Sequence, residues 1–243
     1  MARLLEGKTA IVTGASQGLG LAIAMALGVD GADVLLVARR EKELGAAAEK
    51  VRQLDTEAEP HVADVTSPEE RSGIVDAALA RFTRLDILVN CAGDCVWQKF
   101  FDHSPDDWNR TLATNLSAPF FLTQEAARVM ANQGRGGAIV NITSIHGLVG
   151  DPNVVPHCAS KFGLVGLTRA AAEALREHDI RVNAIAPGAI EPDSSERRGE
   201  SPNMKVTQAD VATLVVYLSS DLARSVTGAV IDMYGSTRTQ IKL

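Results

Sequence analysis

Residues 8–38, KTAIVTGASQGLGLAIAMALGVDGADVLLVA, decide how the rest of the chain is read. KTAIVT (8–13) is a short apolar run ended by glycine, the pattern of a buried strand. GASQGLG follows directly, then an Ala- and Leu-rich stretch with helical spacing, then DVLLVA (33–38), a second buried strand. Strand, glycine-rich turn, helix and strand within about thirty residues form the context that a dinucleotide-binding turn requires. The spacing Gly14-x-x-x-Gly18-x-Gly20 departs from G-x-G-x-x-G but serves the same physics. Glycines permit a tight turn and close backbone approach, and the helix start offers free N–H groups to a pyrophosphate.

The second strand ends in Ala38-Arg39-Arg40. An acidic residue there would bond a ribose 2′-hydroxyl and select NAD, which Ala38 cannot do. The Arg39 guanidinium suits a 2′-phosphate, so NADP(H) is the expected cofactor and NAD comes second. The alternative is that Arg39 and Arg40 are both simply solvated charges at a helix start.

Further along, residues 41–55 have amphipathic helical spacing, and HVADV (61–65) reads as a third strand ending in Asp64-Val65. Residues 67–82 read as a helix with Ser67 as N-cap, Pro68 at its first position and Glu70 completing a capping box. LDILVN (85–90) is a fourth strand, running into Asn90-Cys91-Ala92-Gly93. Residues 104–133 read as one long helix capped at Ser104, which Pro119 should kink near Asn115. GAIVNIT (137–143) is a strand that delivers Ser144. Beyond a loop broken by Gly147, Gly150, Pro152 and Pro156, a helix over 157–178 puts His157 and Lys161 on one face. A strand over 181–188, a helix capped at Thr207 and a last strand over 227–235 complete the pattern. The fold expected is α/β: a doubly wound, Rossmann-type sheet of about seven mostly parallel strands with helices on both faces.

The chain has 243 residues, a length at which one dinucleotide-binding domain over 1–243 is expected. Hydrophobic residues make up 46 %, enough for a sizeable buried core. A net charge of −6, with acidic and basic residues interspersed, gives no footprint for nucleic acid. No run approaches the ~18 apolar residues of a membrane helix, and MARLLEGKTAIV lacks the long apolar stretch of a signal peptide. Cys91, Cys95 and Cys158 are odd in number and have no zinc spacing, which fits a reducing cytoplasm.

These motifs, in this order, resemble the short-chain dehydrogenase/reductase family, of the 3-oxoacyl-carrier-protein reductase type. TGASQGLG is similar to its Thr-Gly-x-x-x-Gly-x-Gly, Asn90-Cys91-Ala92-Gly93 to its Asn-Asn-Ala-Gly, and Pro187-Gly188-x-Ile190 to its Pro-Gly-x-Ile. The resemblance implies a cofactor site built from Gly14, Ser16, Gly18, Leu19, Gly20, Arg39, Asp64, Val65, Asn90, Ala92, Gly93, Lys161, Pro187, Gly188 and Ile190. It implies Asn115, Ser144, His157 and Lys161 as the catalytic set, and Asp94, Cys95 and His146 as substrate-side groups. The family's Asn opens its helix around a water and relays protons to the Lys. Two positions depart from the pattern. His157 stands where the family has its catalytic Tyr, and Pro192 where a Thr bonds the nicotinamide carboxamide. The segment over 193–206 is also shorter than the usual substrate lid.

In the family the Lys lowers the Tyr pKa from ~10 towards neutrality, which suits a general acid. The same cation works against an imidazolium, pushing a His below ~6.5 and leaving it a poor proton donor. The ring nitrogen also falls about 2 Å short of a phenol oxygen, a misplacement that can cost ~100-fold. The expected role is thus an NADP(H)-binding ketoreductase-type subunit with weak or no catalysis of its own. Some members of the family work as hetero-tetramers with one active subunit type, so the expected partner is itself or a catalytically intact paralogue. The alternative is an active NADPH-dependent reductase of a carbonyl or carrier-bound β-keto substrate, using Ser144, His157 and Lys161. Asp94, Cys95, His146 and His157 follow no metal-ligand spacing, so no metal site is expected. Trp97 and Trp108 read as core or wall; His61, His103 and His178 read as boundary or solvent residues.

Overall fold

The computed structural model describes residues 3–190 and 206–234. Pro192 and the segment over 193–205 lie outside the described residues, so the expectations placed on them have no structural counterpart here. Seven strands form one parallel sheet: β1 (Thr9–Thr13), β2 (Asp33–Ala38), β3 (Ala58–Val62), β4 (Ile87–Asn90), β5 (Gly137–Ile142), β6 (Ile180–Pro187) and β7 (Val230–Met233). Their order is β3-β2-β1-β4-β5-β6-β7, and every pairing is parallel. The helices are α1 (Gly18–Val29), α2 (Glu41–Arg52), α3 (Pro68–Phe82), α4 (Pro105–Leu112), α5 (Ala118–Gln133), α6 (Val155–Ala174) and α7 (Gln208–Ser219).

The strands read as unbroken apolar runs because both faces of the sheet are covered. In β1, Ala10 and Val12 join α1, α2 and α7 on one side, while Ile11 joins α3 and α5 on the other. This is the two-residue side-chain period of a strand, used on both faces. β1 lies between β2 and β4, so the crossovers reverse direction there, and the crevice at its carboxyl end is where such sheets bind ligands. Among the described residues no helix is long and apolar enough to cross a membrane.

Several boundaries differ from the sequence reading. β3 begins at Ala58 and ends at Val62, so Asp64 and Val65 sit in the loop that follows it. Pro60 lies inside the strand, which is tolerable because β3 is at the edge of the sheet. Ser67 caps α3 by accepting from the Glu70 N–H, but no capping box closes. The Glu70 carboxylate accepts instead from the Asp64 N–H at 2.7 Å, tying the helix start to the preceding loop. The expected helix over 104–133 is two α-helices joined by a π-helical turn, Ala113–Ser117. The helix carrying His157 starts at Val155 and ends at Ala174, with a separate 3₁₀ turn at Arg176–His178. Trp97 and Trp108 are not core: both are exposed, Trp97 to 65 %.

Candidate active site

The carboxyl ends of the strands open into a cleft of about 700 Å³. One end is made by the glycine-rich turn. Gly14 takes φ +69°, and a Cβ there would press on the Ala92 backbone; a Cβ on Gly20 would collide with the Gly14 carbonyl. Both positions therefore demand glycine. Gln17 precedes α1 without capping it through its side chain, and no acidic residue sits in the first turn. The first-turn N–H groups are thus available to an anion. Thr13, not singled out by the sequence, joins the strand ends: its hydroxyl accepts from the N–H groups of Cys91 and Ala92, both at 3.0 Å.

Ser16, Leu19, Arg39, Arg40, Asp64, Val65, Ala92 and Gly93 line the cleft together with the three glycines. Both arginines line the cleft, each with a partner of its own. Arg39 faces the Asp64 carboxylate at 3.6 Å, while Arg40 donates to the Ser16 hydroxyl at 3.3 Å, over the glycine turn. Asn90 does not face the cleft. Its amide donates to the Asn141 side chain at 2.8 Å, and Asn141 donates in turn to Thr168 at 2.9 Å, so it braces β4 against β5 and α6.

A smaller cavity of about 220 Å³ continues from the cleft past Cys91, Gly93 and Asp94. Cys95, Ser144, His157, Lys161, Pro187, Gly188 and Ile190 share its walls. His157 and Lys161 meet there because they lie one turn apart on α6. The Lys161 ammonium is buried and donates to the Ile142 carbonyl at 2.8 Å; burial lowers its pKa to about 8. The neighbouring Cys91 thiol is held up at about 12 by burial. Ser144 opens a 3₁₀ turn and accepts from the His146 N–H at 3.2 Å. The His146 ring stands perpendicular to that of His157 at 5.8 Å and pairs with Asp151 at 3.7 Å, so it stacks behind the cavity wall. Trp97 meets the outer edge of His146.

His157 is fixed through its Nδ1, which lies 3.0 Å from the Asp94 carbonyl. The Asn115 amide nitrogen also lies 3.4 Å from Nδ1, but it donates over shorter distances to the Asp94 carbonyl and Ser160, and a carbonyl only accepts, so the 3.0 Å contact puts the proton on Nδ1. Nε2 is then the unprotonated nitrogen. The ring's pKa falls to about 4, mainly through burial, with Lys161 and His146 adding to the fall and the Asp94 carbonyl opposing it. The sequence reading gave the leading part to Lys161; burial takes that part because the ring is desolvated while Lys161 is itself only weakly held as a cation.

Asn115, fully buried in the π turn, holds Asp94 in place. Its side chain accepts from the Asp94 N–H at 2.7 Å, and donates to the Asp94 carbonyl at 2.8 Å and to Ser160 at 3.0 Å. The Asp94 carboxylate is engaged as well, accepting from Arg110 at 3.2 Å and Thr111 at 3.1 Å. Asp94 thus positions His157 rather than presenting a free carboxylate. Arg110, Thr111 and Ser160 carried no signal in the sequence, because their roles depend on a fold that brings residues 94, 115 and 157 together. Among the described residues no group of three or more His, Cys, Asp or Glu could hold a metal ion.

A parallel sheet with this switch point, a glycine turn below an uncapped helix and a Ser–His–Lys cavity define a nicotinamide-dependent oxidoreductase scaffold. Residues 8–203 match the short chain dehydrogenase family, and the chain belongs to it. It is 32 % identical to the 3-oxoacyl-[acyl-carrier-protein] reductase of Thermotoga maritima, over 95 % of this chain and 98 % of that protein. It is 37 % identical to an L-rhamnose 1-dehydrogenase (NAD(P)(+)) of Azotobacter vinelandii, over 93 % and 94 % of the two chains. It superposes on the structure of an NAD+-bound xylitol dehydrogenase with a TM-score of 0.89 at 30 % identity, over 96 % and 99 % of the chains. Family members bind a nicotinamide cofactor, NAD or NADP. The cleft fits one: it combines a glycine-lined floor, free N–H groups at α1 and enough volume.

Proposed function

We propose that the chain is an NADP(H)-binding short-chain dehydrogenase/reductase unit with weak or no carbonyl reduction of its own, acting in an oligomer beside a catalytically intact paralogue. The observation that carries this is the His157 Nδ1 contact to the Asp94 carbonyl at 3.0 Å. It leaves Nε2 as a lone pair directed at a site where a reductase needs a proton. The bound cofactor would supply the hydride donor or acceptor at its nicotinamide carbon. Around it, Gly14, Gly18 and Gly20 with the α1 N–H groups would take the pyrophosphate, and Asp64 and Val65 would flank the adenine. Arg39 and Arg40 would take the 2′-phosphate, and Lys161 the nicotinamide ribose. Ser144 can still donate a hydrogen bond to a carbonyl oxygen, but a neutral His157 cannot protonate it. Three free cysteines fit work in a reducing cytoplasm.

A second reading has its own support. A bare Nε2 accepts a proton, and so suits a hydroxyl donor better than a ketone; the same Ser144, His157 and Lys161 site would then turn over an alcohol and carbonyl pair by a modified route. The deciding experiment compares wild type, His157→Tyr and His157→Phe for NADPH consumption against ketones and β-ketoacyl thioesters. Under the main reading, His157→Tyr gains about 10²–10⁴-fold, the worth of a restored general acid, and His157→Phe gains nothing. A robust wild-type activity that falls in His157→Tyr would make His157 a working group and remove the main reading.

A further inference from the structure

At the opposite edge of the sheet, where the strands begin, lies a separate cleft of about 640 Å³. Its walls carry six Lys or Arg side chains against three Asp, in a chain whose net charge is −6. Part of that charge is satisfied internally. Lys8 pairs with Asp221 at 2.7 Å, Arg84 with Asp86 at 2.6 Å, and Arg176 with Glu173 at 2.7 Å. Arg181 is held only by backbone, donating to the carbonyls of Leu218 at 2.6 Å and Ser220 at 3.2 Å. Burial lowers its pKa, against the pull of Asp221. Arg135 and Arg224 make no side-chain hydrogen bond or ion pair among the described residues, and Asp179 is the carboxylate left to oppose an anion.

Ser219 supplies a second, independent sign. It lies between the two carbonyls that hold Arg181, lines this cleft, and is 1 % exposed. Its hydroxyl has no hydrogen-bond partner among the described residues. A buried hydroxyl at the wall of a cationic cleft is completed by an acceptor that enters the cleft.

We propose that this cleft binds a compact polyanion of the phosphate type, with Arg135, Arg181 and Arg224 supplying the charge and the Ser219 hydroxyl donating a hydrogen bond. The ligand is distinct from the cofactor, because strands of this length hold the two edges of the sheet roughly 15–20 Å apart. The enclosed volume favours a small molecule over a protein surface.

The test is isothermal titration of the whole chain with pyrophosphate at constant ionic strength, with and without saturating NADP+. With saturating NADP+ filling the cofactor cleft, one saturable site is expected to remain, unaffected by Arg39→Ala. Arg135→Glu and Arg224→Glu, both at exposed positions, should each weaken it at least tenfold, and Ser219→Ala about threefold. Binding that NADP+ abolishes altogether would place the probe in the cofactor cleft alone and overturn the proposal. So would the lack of a saturable site, or binding that none of the three variants changes. Because the readout needs neither turnover nor cofactor, it stands or falls apart from the reading of His157.

Discussion

At the scale of single residues, His157 shares the cavity with Ser144 and Lys161 and has its Nδ1 tied to the Asp94 carbonyl. The sequence made the direction of its pKa shift legible. It placed Asp94 on the substrate side and did not show that its carbonyl sets the tautomer, because a backbone group leaves no mark in a motif. The folded pKa of about 4 lies below the 6.5 of an unfolded His, so the unfolded state binds more protons between those values. The stability this confers is complete above pH 6.5 and is lost as pH falls towards 4. Wild type should therefore lose up to about 2 kcal/mol more than His157→Phe between pH 7 and 4.5, after allowing for solvent screening. Urea titrations at the two pH values measure this, and equal losses would mean the ring is not held neutral. The arginines give a second residue-level expectation. Arg40→Ala should weaken NADPH about tenfold, an order set by one charge-assisted hydrogen bond. Arg39→Ala should cost less, since Asp64 already faces that guanidinium. Cofactor fluorescence decides, and equal affinities of wild type for NADPH and NADH would remove the NADP assignment.

Among the elements, the π turn between α4 and α5 does most to build the site. Pro119 announced a break in the sequence, and the break occurs; its form could not be read, because it depends on Asn115 finding Asp94 across the fold. Replacing Asn115 by Ala would leave the part-buried Asp94 N–H without its acceptor and the Asp94 carbonyl with His157 alone, at about 1–3 kcal/mol. Urea unfolding should show that loss, and a change below ~1 kcal/mol would mean that water repairs the bracket. The shift of β3 has another cause: the strand takes in Pro60, which its edge position allows because one side has no partner to miss the N–H.

For the molecule as a whole, the sheet was legible almost strand by strand, since buried parallel strands leave continuous apolar runs in the sequence. Assembly was legible in the sequence only through the helices read over 104–133 and 157–178, Ala-rich and with apolar faces wide enough to pair with those of a second subunit. The structure adds that Phe120 and Phe121 on α5 and Phe162 on α6 remain exposed, with Arg71 stacked over Phe121 at 4.6 Å. Under the proposed assembly, these bare aromatics are the expected contact surface. Phe121→Glu and Phe162→Glu together should lower the assembly by at least one step on size-exclusion, and unchanged elution would move the interface elsewhere. The order of the strands carries one more consequence. β2 and β3 add outward on one side of β1, then β4, β5, β6 and β7 add outward on the other. No strand has to insert between two already paired. A chain leaving the ribosome can therefore extend the sheet from free edges throughout synthesis, with the cofactor turn after β1 in place before the catalytic helix has been made.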